Sequence, residues 1–389
     1  MSMQLKTGDD FAGFHIHRVL RKLPSEWVYL ATSTEGALVD LKVSLDPVGS
    51  QAAAARVLRE LAVLERLTNR HVARVLASGL GPAEHWFLAT EHLEGAQLHH
   101  WHDFDVPLAT ADAVGFVHDA CLGLAELHAH GIVHRALEPS RLWIDDEHTL
   151  KILDFGSARS WNAEPTGTNV TIGTTVIAAP PYVAPEQVRG AELTPATDVY
   201  SLAVILYELL SGRSPFFPGK SWRRARAELA DDPSAWLRAH VKIAAAPLAE
   251  HAPRLSTRLC ALVDRCLAKD PALRPRDAAE LANELGWILH TDLGARAAVL
   301  SRRGPDAPAS FQLIVPGSHR LDVHGAPIAG DEPAFVLDWD GGSRPAEVVP
   351  EAARVDIDGH PITARTAWLP GARLHIGKTE LTLAYPRER

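Results

Sequence analysis

A chain of 389 residues with 46% apolar side chains can bury at least one large core, and its length suggests two or three folded units. A net charge of -9 and a pI near 6.1 argue against the basic face that nucleic-acid binders carry, so no nucleic-acid partner is expected. The three cysteines, Cys121, Cys260 and Cys266, lack the short paired spacing of a zinc site or disulfide framework, which points to a reducing cytoplasm. Met1 to Phe14 lacks the basic start and apolar run of a signal peptide, and no stretch approaches the roughly 18 apolar residues that span a bilayer. A soluble protein without a membrane span is expected.

From Phe11 to about Glu94, short runs such as Trp27-Val28-Tyr29-Leu30 and Leu38 to Val43 are rich in β-formers and read as strands. One helix interrupts them from about Gln51 to Leu67, with Leu58, Leu61, Leu64 and Leu67 as its expected apolar stripe. After Leu98 the periodicity becomes helical over Ala111 to His130, Asp198 to Ser211, Ser256 to Ala268 and Arg276 to Leu289. Residues 291–310 carry Gly294, Arg302, Arg303, Gly304, Pro305 and Pro308 with weak periodicity, which predicts a linker. Beyond it, Phe311 to Val315, Ala334 to Leu337, Ala353 to Ile357 and Leu374 to Leu383 alternate between turn residues and predict an all-β unit over 311–386.

An ordered set of short motifs carries the functional reading, because each is weak alone while their order and spacing leave few alternatives. Lys42 ends the run Val39-Asp40-Leu41-Lys42, Glu60 lies on the next helix, and His134-Arg135 follows a long helix. Asp154-Phe155-Gly156 comes after two short strands, then Ala184-Pro185-Glu186 and Asp198-Val199-Tyr200-Ser201. Leu267-Ala268-Lys269-Asp270-Pro271, followed by Arg274-Pro275, completes the set.

This set resembles the bacterial members of the eukaryotic-type (Hanks-type) serine/threonine protein kinases. The resemblance covers about 10–290 and implies an α+β, bilobal protein-kinase-like fold. A β-rich N-lobe over about 10–94 and a helical C-lobe over about 95–290 would then be followed by a small all-β sandwich. It further implies that Lys42 reaches nucleotide phosphates, that Glu60 pairs with Lys42, and that Asp154 binds magnesium. Thr90, Glu91 and Leu93 would form the hinge beside the adenine, and Glu186 would pair with Arg274. Read from the residues alone, Lys42 and Glu60 are equally well explained as a structural ion pair between strand and helix.

Phosphoryl transfer needs a phosphate cradle, a lysine, two metal sites and a group that orients the hydroxyl nucleophile. Ala136 stands where the family has its catalytic aspartate, and a methyl group can accept no proton; losing a positioned base typically costs about 10²–10⁴ in rate. Arg141 replaces the metal-binding asparagine with a fixed cation, and Glu138 replaces a lysine near the transferring phosphate. The glycine-rich loop is absent between Gly13 and Val28, where Pro24 lacks an amide proton and Trp27 is bulky. Asp40 takes the place of a small residue above the purine, and Trp143 is expected to block the adenine pocket from below. Asp40 and Lys42, two apart on a strand, share a face and are expected to pair, with Arg141 capturing Asp154 in place of the metal.

The expected function is therefore that of a catalytically inactive kinase homologue, a pseudokinase. It would act as a protein-binding scaffold or allosteric regulator in bacterial Ser/Thr phosphorylation signalling. Its partners would be a kinase, phosphatase or phosphoprotein of the same pathway, with no metal and no cofactor. Two alternatives stay open. One is an active, non-standard serine/threonine kinase using ATP and Mg²⁺, with Asp154 as the metal ligand. The other is a nucleotide sensor without turnover.

Thr166, Thr168, Thr171, Thr174 and Thr175, in the stretch matching the activation loop, are candidates for phosphorylation with Arg135 receiving the charge. His99, His100 and His102 around Trp101 cannot easily converge on one ion, so no metal is assigned there. The stretches Val355 to Ile362 and Leu369 to Gly377 are similar to the closing strands of forkhead-associated domains, which bind phosphothreonine peptides. That family's arginine after a leading glycine, serine-x-x-histidine and asparagine-glycine pair do not occur at the expected places.

Overall fold

The computed structural model describes residues 4–23, 26–145, 149–154, 159–160, 179–293, 298–304, 307–314, 317–321, 334–339, 345–351, 354–369 and 372–384. An antiparallel sheet forms the N-lobe from β1 (Asp10–Phe11), β2 (Phe14–Lys22), β3 (Glu26–Ser33), β4 (Leu38–Ser44), β5 (Val75–Leu80) and β6 (Trp86–Glu91), in the order β1-β2-β3-β4-β6-β5. Alternation decides its faces. Tyr29 and Ala31 of β3, with Val39, Leu41 and Val43 of β4, enter one apolar cluster with Phe11, Phe14 and Phe87. Glu26, Asp40 and Lys42 fall on the opposite face.

Helix α1 (Gln51–Leu64) begins at Ser50, whose hydroxyl accepts from the Ala53 amide as an N-cap. Leu61, Leu64 and Leu67 are buried, whereas Leu58 is 42% exposed. The expected stripe was one residue too long: three-residue steps drift by about 60° each against a 3.6-residue turn, which rotates Leu58 out of the apolar face.

The C-lobe comprises β7 (Ala96–Gln97), α2 (Leu98–Trp101), α3 (Thr110–Ala129), β8 (Ile132–Val133), β9 (Leu142–Ile144), β10 (Leu150–Ile152) and β11 (Arg159–Ser160). It continues through α4 (Pro185–Arg189), α5 (Pro195–Ser211), α6 (Trp222–Glu228), α7 (Pro233–Lys242), α8 (Leu248–His251), α9 (Thr257–Cys266) and α10 (Ala278–Thr291). Every residue of α5 from Ala196 to Ser211 is buried, so this is a core helix with helices packed around it. Buried Arg274 grips Glu186 through both guanidinium arms, at 2.8 and 2.9 Å, and joins α4 to the segment after α9. This is the pair that the family resemblance implied. Cys121, Cys260 and Cys266 are buried free thiols of the C-lobe core. No helix among the described residues is long and apolar enough to cross a membrane.

The C-terminal strands are β12 (Ala298–Gly304), β13 (Ala307–Ile314), β14 (Gly317–Leu321), β15 (Phe335–Trp339), β16 (Ala346–Pro350), β17 (Val355–Ile357), β18 (His360–Ile362), β19 (Thr366–Trp368), β20 (Arg373–Ile376) and β21 (Thr379–Ala384). They form a sheet in the order β13-β12-β21-β20-β17-β18 and another in the order β14-β15-β16-β19. Leu300, Leu374 and Leu381 from the first share one buried cluster with Phe335, Val348 and Trp368 from the second. The two sheets thus pack face to face.

Two expectations need correction here. The stretch 291–310 is not a plain linker, because β12 pairs with both β13 and β21; its residues from Ala298 to Gly304 carry no apolar-polar alternation that would signal a strand. The run from Leu374 to Leu383 is two strands, turned at Gly377, whose φ of 58° suits a residue without a side chain.

His240 of α7 is fully buried, with Nδ1 2.9 Å from the Tyr200 hydroxyl. Burial and then the Lys269 charge push its pKa down from 6.5 to about 3. Between these values the unfolded chain binds a proton that the folded chain does not. Stability is therefore full above pH 6.5 and falls toward pH 3 by up to about 1.4 kcal/mol per pH unit from this group. Urea unfolding of His240→Asn across this range is expected to show a shallower slope than the native chain; an unchanged slope would contradict it.

Candidate functional site

The cleft between the lobes is built by three local features. Strand β4 presents Asp40 and Lys42 on the face away from the N-lobe core, by alternation with Val39, Leu41 and Val43. Strands β9 and β10 pair in the register Leu142 with Ile152, and the Leu153 amide donates to the Arg141 carbonyl at 2.8 Å. That ladder brings Arg141 beside Asp154. Asp154 and Arg135 both hold a left-handed backbone, each with φ of 67°, a conformation that non-glycine residues adopt at a cost and that clusters at functional sites.

Both carboxylate oxygens of Asp154 are occupied by cations of the chain. Lys42 Nζ contacts Oδ1, and Arg141 Nη1 lies 2.7 Å from Oδ2 and 3.2 Å from the Asp154 carbonyl oxygen. Each cation has a second carboxylate: Glu26 Oε1 is 3.3 Å from Lys42 Nζ, and Glu138 Oε1 is 3.4 Å from Arg141 Nε. The Lys42 and Asp154 side chains are each only 7% exposed. Burial favours neutral forms, but the opposing charges win. Lys42 is raised above its usual range by Asp154 and Glu26, and Asp154 is held well below the carboxylate range by Lys42 and Arg141, with Arg21 adding to the effect. Magnesium, which takes near-octahedral oxygen ligands, would have to displace one of these cations from Asp154.

Other expectations fall differently. Asp40 does not capture Lys42; its Oδ1 lies 2.6 Å from His92 Nδ1, and Lys42 turns to Glu26 and Asp154 instead. The reason is length, since the short aspartate reaches its neighbour across the strand end while the long lysine extends to the cleft floor. The side chain of Glu60 lies outside the described residues, so its pairing with Lys42 stays an expectation; its backbone belongs to α1. Pro24, Phe155, Gly156, Thr166, Thr168, Thr171, Thr174 and Thr175 also lie outside them. The bulk of Trp27 is not in the cleft: its ring packs on the N-lobe core, with Lys22 Nζ 5.0 Å from the ring centroid. Ala136 is buried beside Arg135, whose carbonyl accepts from Gln187 Nε2 at 2.8 Å. Glu138 faces Arg141 rather than standing alone as a repelling charge.

Trp143 does not plug the cleft. Its indole Nε1 donates to the Glu94 carbonyl at 2.8 Å. Gly95, at φ of 118°, permits this approach, since a Cβ there would lie 2.9 Å from the indole nitrogen and 2.2 Å from the Ile144 carbonyl oxygen. A cavity of about 810 Å³ remains, walled by Val28, Leu88, Leu93, Leu153 and Trp143. Thr90 and Glu91 also line it, and Glu91 is tied to Lys151 Nζ at 2.7 Å. The rings of His99 and His100 lie 3.9 Å apart while His102 Nε2 bonds the Val106 carbonyl. Among the described residues no three metal-binding side chains converge.

Sequence reasoning missed Glu26, His92, Arg18 and Arg21. Glu26 had a legible signal: it alternates with Val28, which pairs with Lys42 across β3 and β4. The two arginines had none, because β2 is irregular between Ile16 and Arg18 and again between Val19 and Arg21, and these shifts decide which side chains face the cavity.

A β-rich lobe and a helical lobe enclosing a lysine and an aspartate define the protein kinase architecture. The protein kinase domain family matches residues 26–287, more than half of the chain, and the chain belongs to that family. It is 31% identical over 243 residues to serine/threonine-protein kinase PknB of Mycolicibacterium smegmatis, covering 62% of this chain and 34% of that protein. It is 34% identical over 327 residues to serine/threonine-protein kinase pkn2 of Myxococcus xanthus, covering 80% of this chain and 36% of that protein. The chain thus spans about a third of the length of these relatives.

Replacing Asp154 by alanine would leave Lys42 and Arg141 as buried cations that keep, among the described residues, only the longer contacts to Glu26 and Glu138. Asp154→Ala is expected to lower the unfolding free energy by about 3 kcal/mol in urea titration; a loss under about 1 kcal/mol would show that the network is not holding the lobes.

Proposed function

We propose that this chain is a kinase-fold protein that binds protein partners without transferring phosphate. The observation that carries this reading is the occupation of both Asp154 carboxylate oxygens, by Lys42 Nζ and by Arg141 Nη1 at 2.7 Å. A metal-bridged triphosphate needs those oxygens, and the hydroxyl nucleophile needs a carboxylate where Ala136 offers a methyl group. Removing both leaves a folded cleft with no means to activate an alcohol. The partners in this reading are a kinase, phosphatase or phosphoprotein of the same signalling pathway, met as a scaffold or allosteric regulator. The C-terminal sandwich, in this reading a forkhead-associated-like domain, adds a second docking surface.

A second reading has its own support. The cavity of about 810 Å³ keeps apolar walls and the segment with Thr90, Glu91 and Leu93, so a nucleotide sensor without turnover fits the same geometry.

Transfer of radiolabelled γ-phosphate from ATP separates these readings from an active enzyme. Purified full chain, with a general protein substrate and Mg²⁺ or Mn²⁺, is expected to incorporate no label above a protein-free control. Incorporation that disappears in Lys42→Ala would overturn the proposal and establish a working kinase.

A further inference from the structure

Away from the cleft, the C-lobe carries an amine in an unusual setting. The backbone after α9 is pinned by Arg274, which donates to the carbonyls of Ala268 and Lys269 at 2.8 and 3.4 Å while gripping Glu186. With the backbone fixed, the Lys269 side chain turns inward. Its Nζ lies 4.2 Å from the Phe216 ring centroid, 5.8 Å from that of Tyr200 and 3.4 Å from the Tyr200 hydroxyl, which is itself 2.9 Å from His240 Nδ1. Among the described residues no carboxylate stands within ion-pair distance of it. Beside it opens a pocket of about 300 Å³ walled by Ala244, Ala245, Pro247 and Leu267, with Asp264 at its edge accepting from the Leu248 amide at 3.1 Å.

We propose that Lys269 is an acylation site. Its neutral amine attacks the carbonyl carbon of a small acyl phosphate, a C–N bond forms as the C–O bond to phosphate breaks, phosphate leaves, and the amine proton passes to solvent. The acyl methyl group then enters the pocket between Ala244, Ala245 and Pro247.

Three features favour this. A lysine held by a carboxylate is a poor nucleophile because the ion pair keeps it protonated, and among the described residues Lys269 has no such partner. Burial, then the charges of Arg274 and Arg189, push its pKa down to about 8, so its neutral fraction at neutral pH is on the order of a hundredfold above that of an ordinary lysine. The adjoining pocket is apolar and of a size for a short acyl group. Acylation would also remove the cation from the Phe216 and Tyr200 rings, and so loosen the segment that positions Arg274 against Glu186.

The experiment uses the full chain and acetyl phosphate at pH 8, with acetylation at each lysine followed over time by peptide mass spectrometry. Lys269 is expected to react about tenfold or more faster than the exposed Lys6 and Lys378. Ala245→Leu, which narrows the pocket, should slow Lys269 and leave Lys6 unchanged. Equal or slower reaction of Lys269 relative to Lys6 would overturn the proposal. So would an unaltered Lys269 rate in the pocket variant, since modification would then owe nothing to the site.

Discussion

One carboxylate, Asp154, sits between a lysine of the N-lobe and an arginine of the C-lobe, and the cleft is arranged around that contact. Close opposite charges at an effective dielectric near 20 attract by about 4 kcal/mol at 4 Å, which offsets part of what their desolvation costs. The balance is kept tolerable because each cation has a second anion, Glu26 for Lys42 and Glu138 for Arg141. A buried cluster of alternating charge is thereby close to neutral.

Other contacts hold the lobes in the same relation. The Ile152 amide donates to the His71 carbonyl at 2.9 Å, and the Ile152 carbonyl accepts from the Ala73 amide at 3.0 Å, joining the loop before β5 to β10. Glu91 reaches from the end of β6 to Lys151 on β10, and the Trp143 indole on β9 ties to the Glu94 carbonyl. Asp40 closes onto His92 at the mouth. These links surround the cavity without filling it, so the geometry combines an internally neutralised floor with an open space above.

The fold was largely legible because kinase motifs occur in a fixed order and because helix and strand periods differ. Lys42, Asp154, Glu186 and Arg274 could be assigned before any coordinates, and the Arg141 contact followed from placing a cation where a metal ligand is expected. What escaped was non-local. β12 shows no alternation from Ala298 to Gly304, and one of its two partners, β21, lies near the other end of the unit. His92 lies 52 residues from Asp40, and only the sheet order β4-β6 makes them neighbours. Trp143 was read as a plug from its family position and its bulk, whereas the Glu94 carbonyl and the absence of a side chain at Gly95 decide where the indole lies.

In the proposed function, Arg141 stands where a magnesium ion would otherwise be held by Asp154. Isothermal titration calorimetry of ATP into the full chain, with and without Mg²⁺, beside the Arg141→Asn variant, addresses this most directly. The native chain should bind ATP no more tightly with Mg²⁺ than without it, while the variant gains a dependence on the ion. Tightening of native ATP binding by about tenfold or more on adding Mg²⁺, equivalent to about 1.4 kcal/mol, would contradict the account.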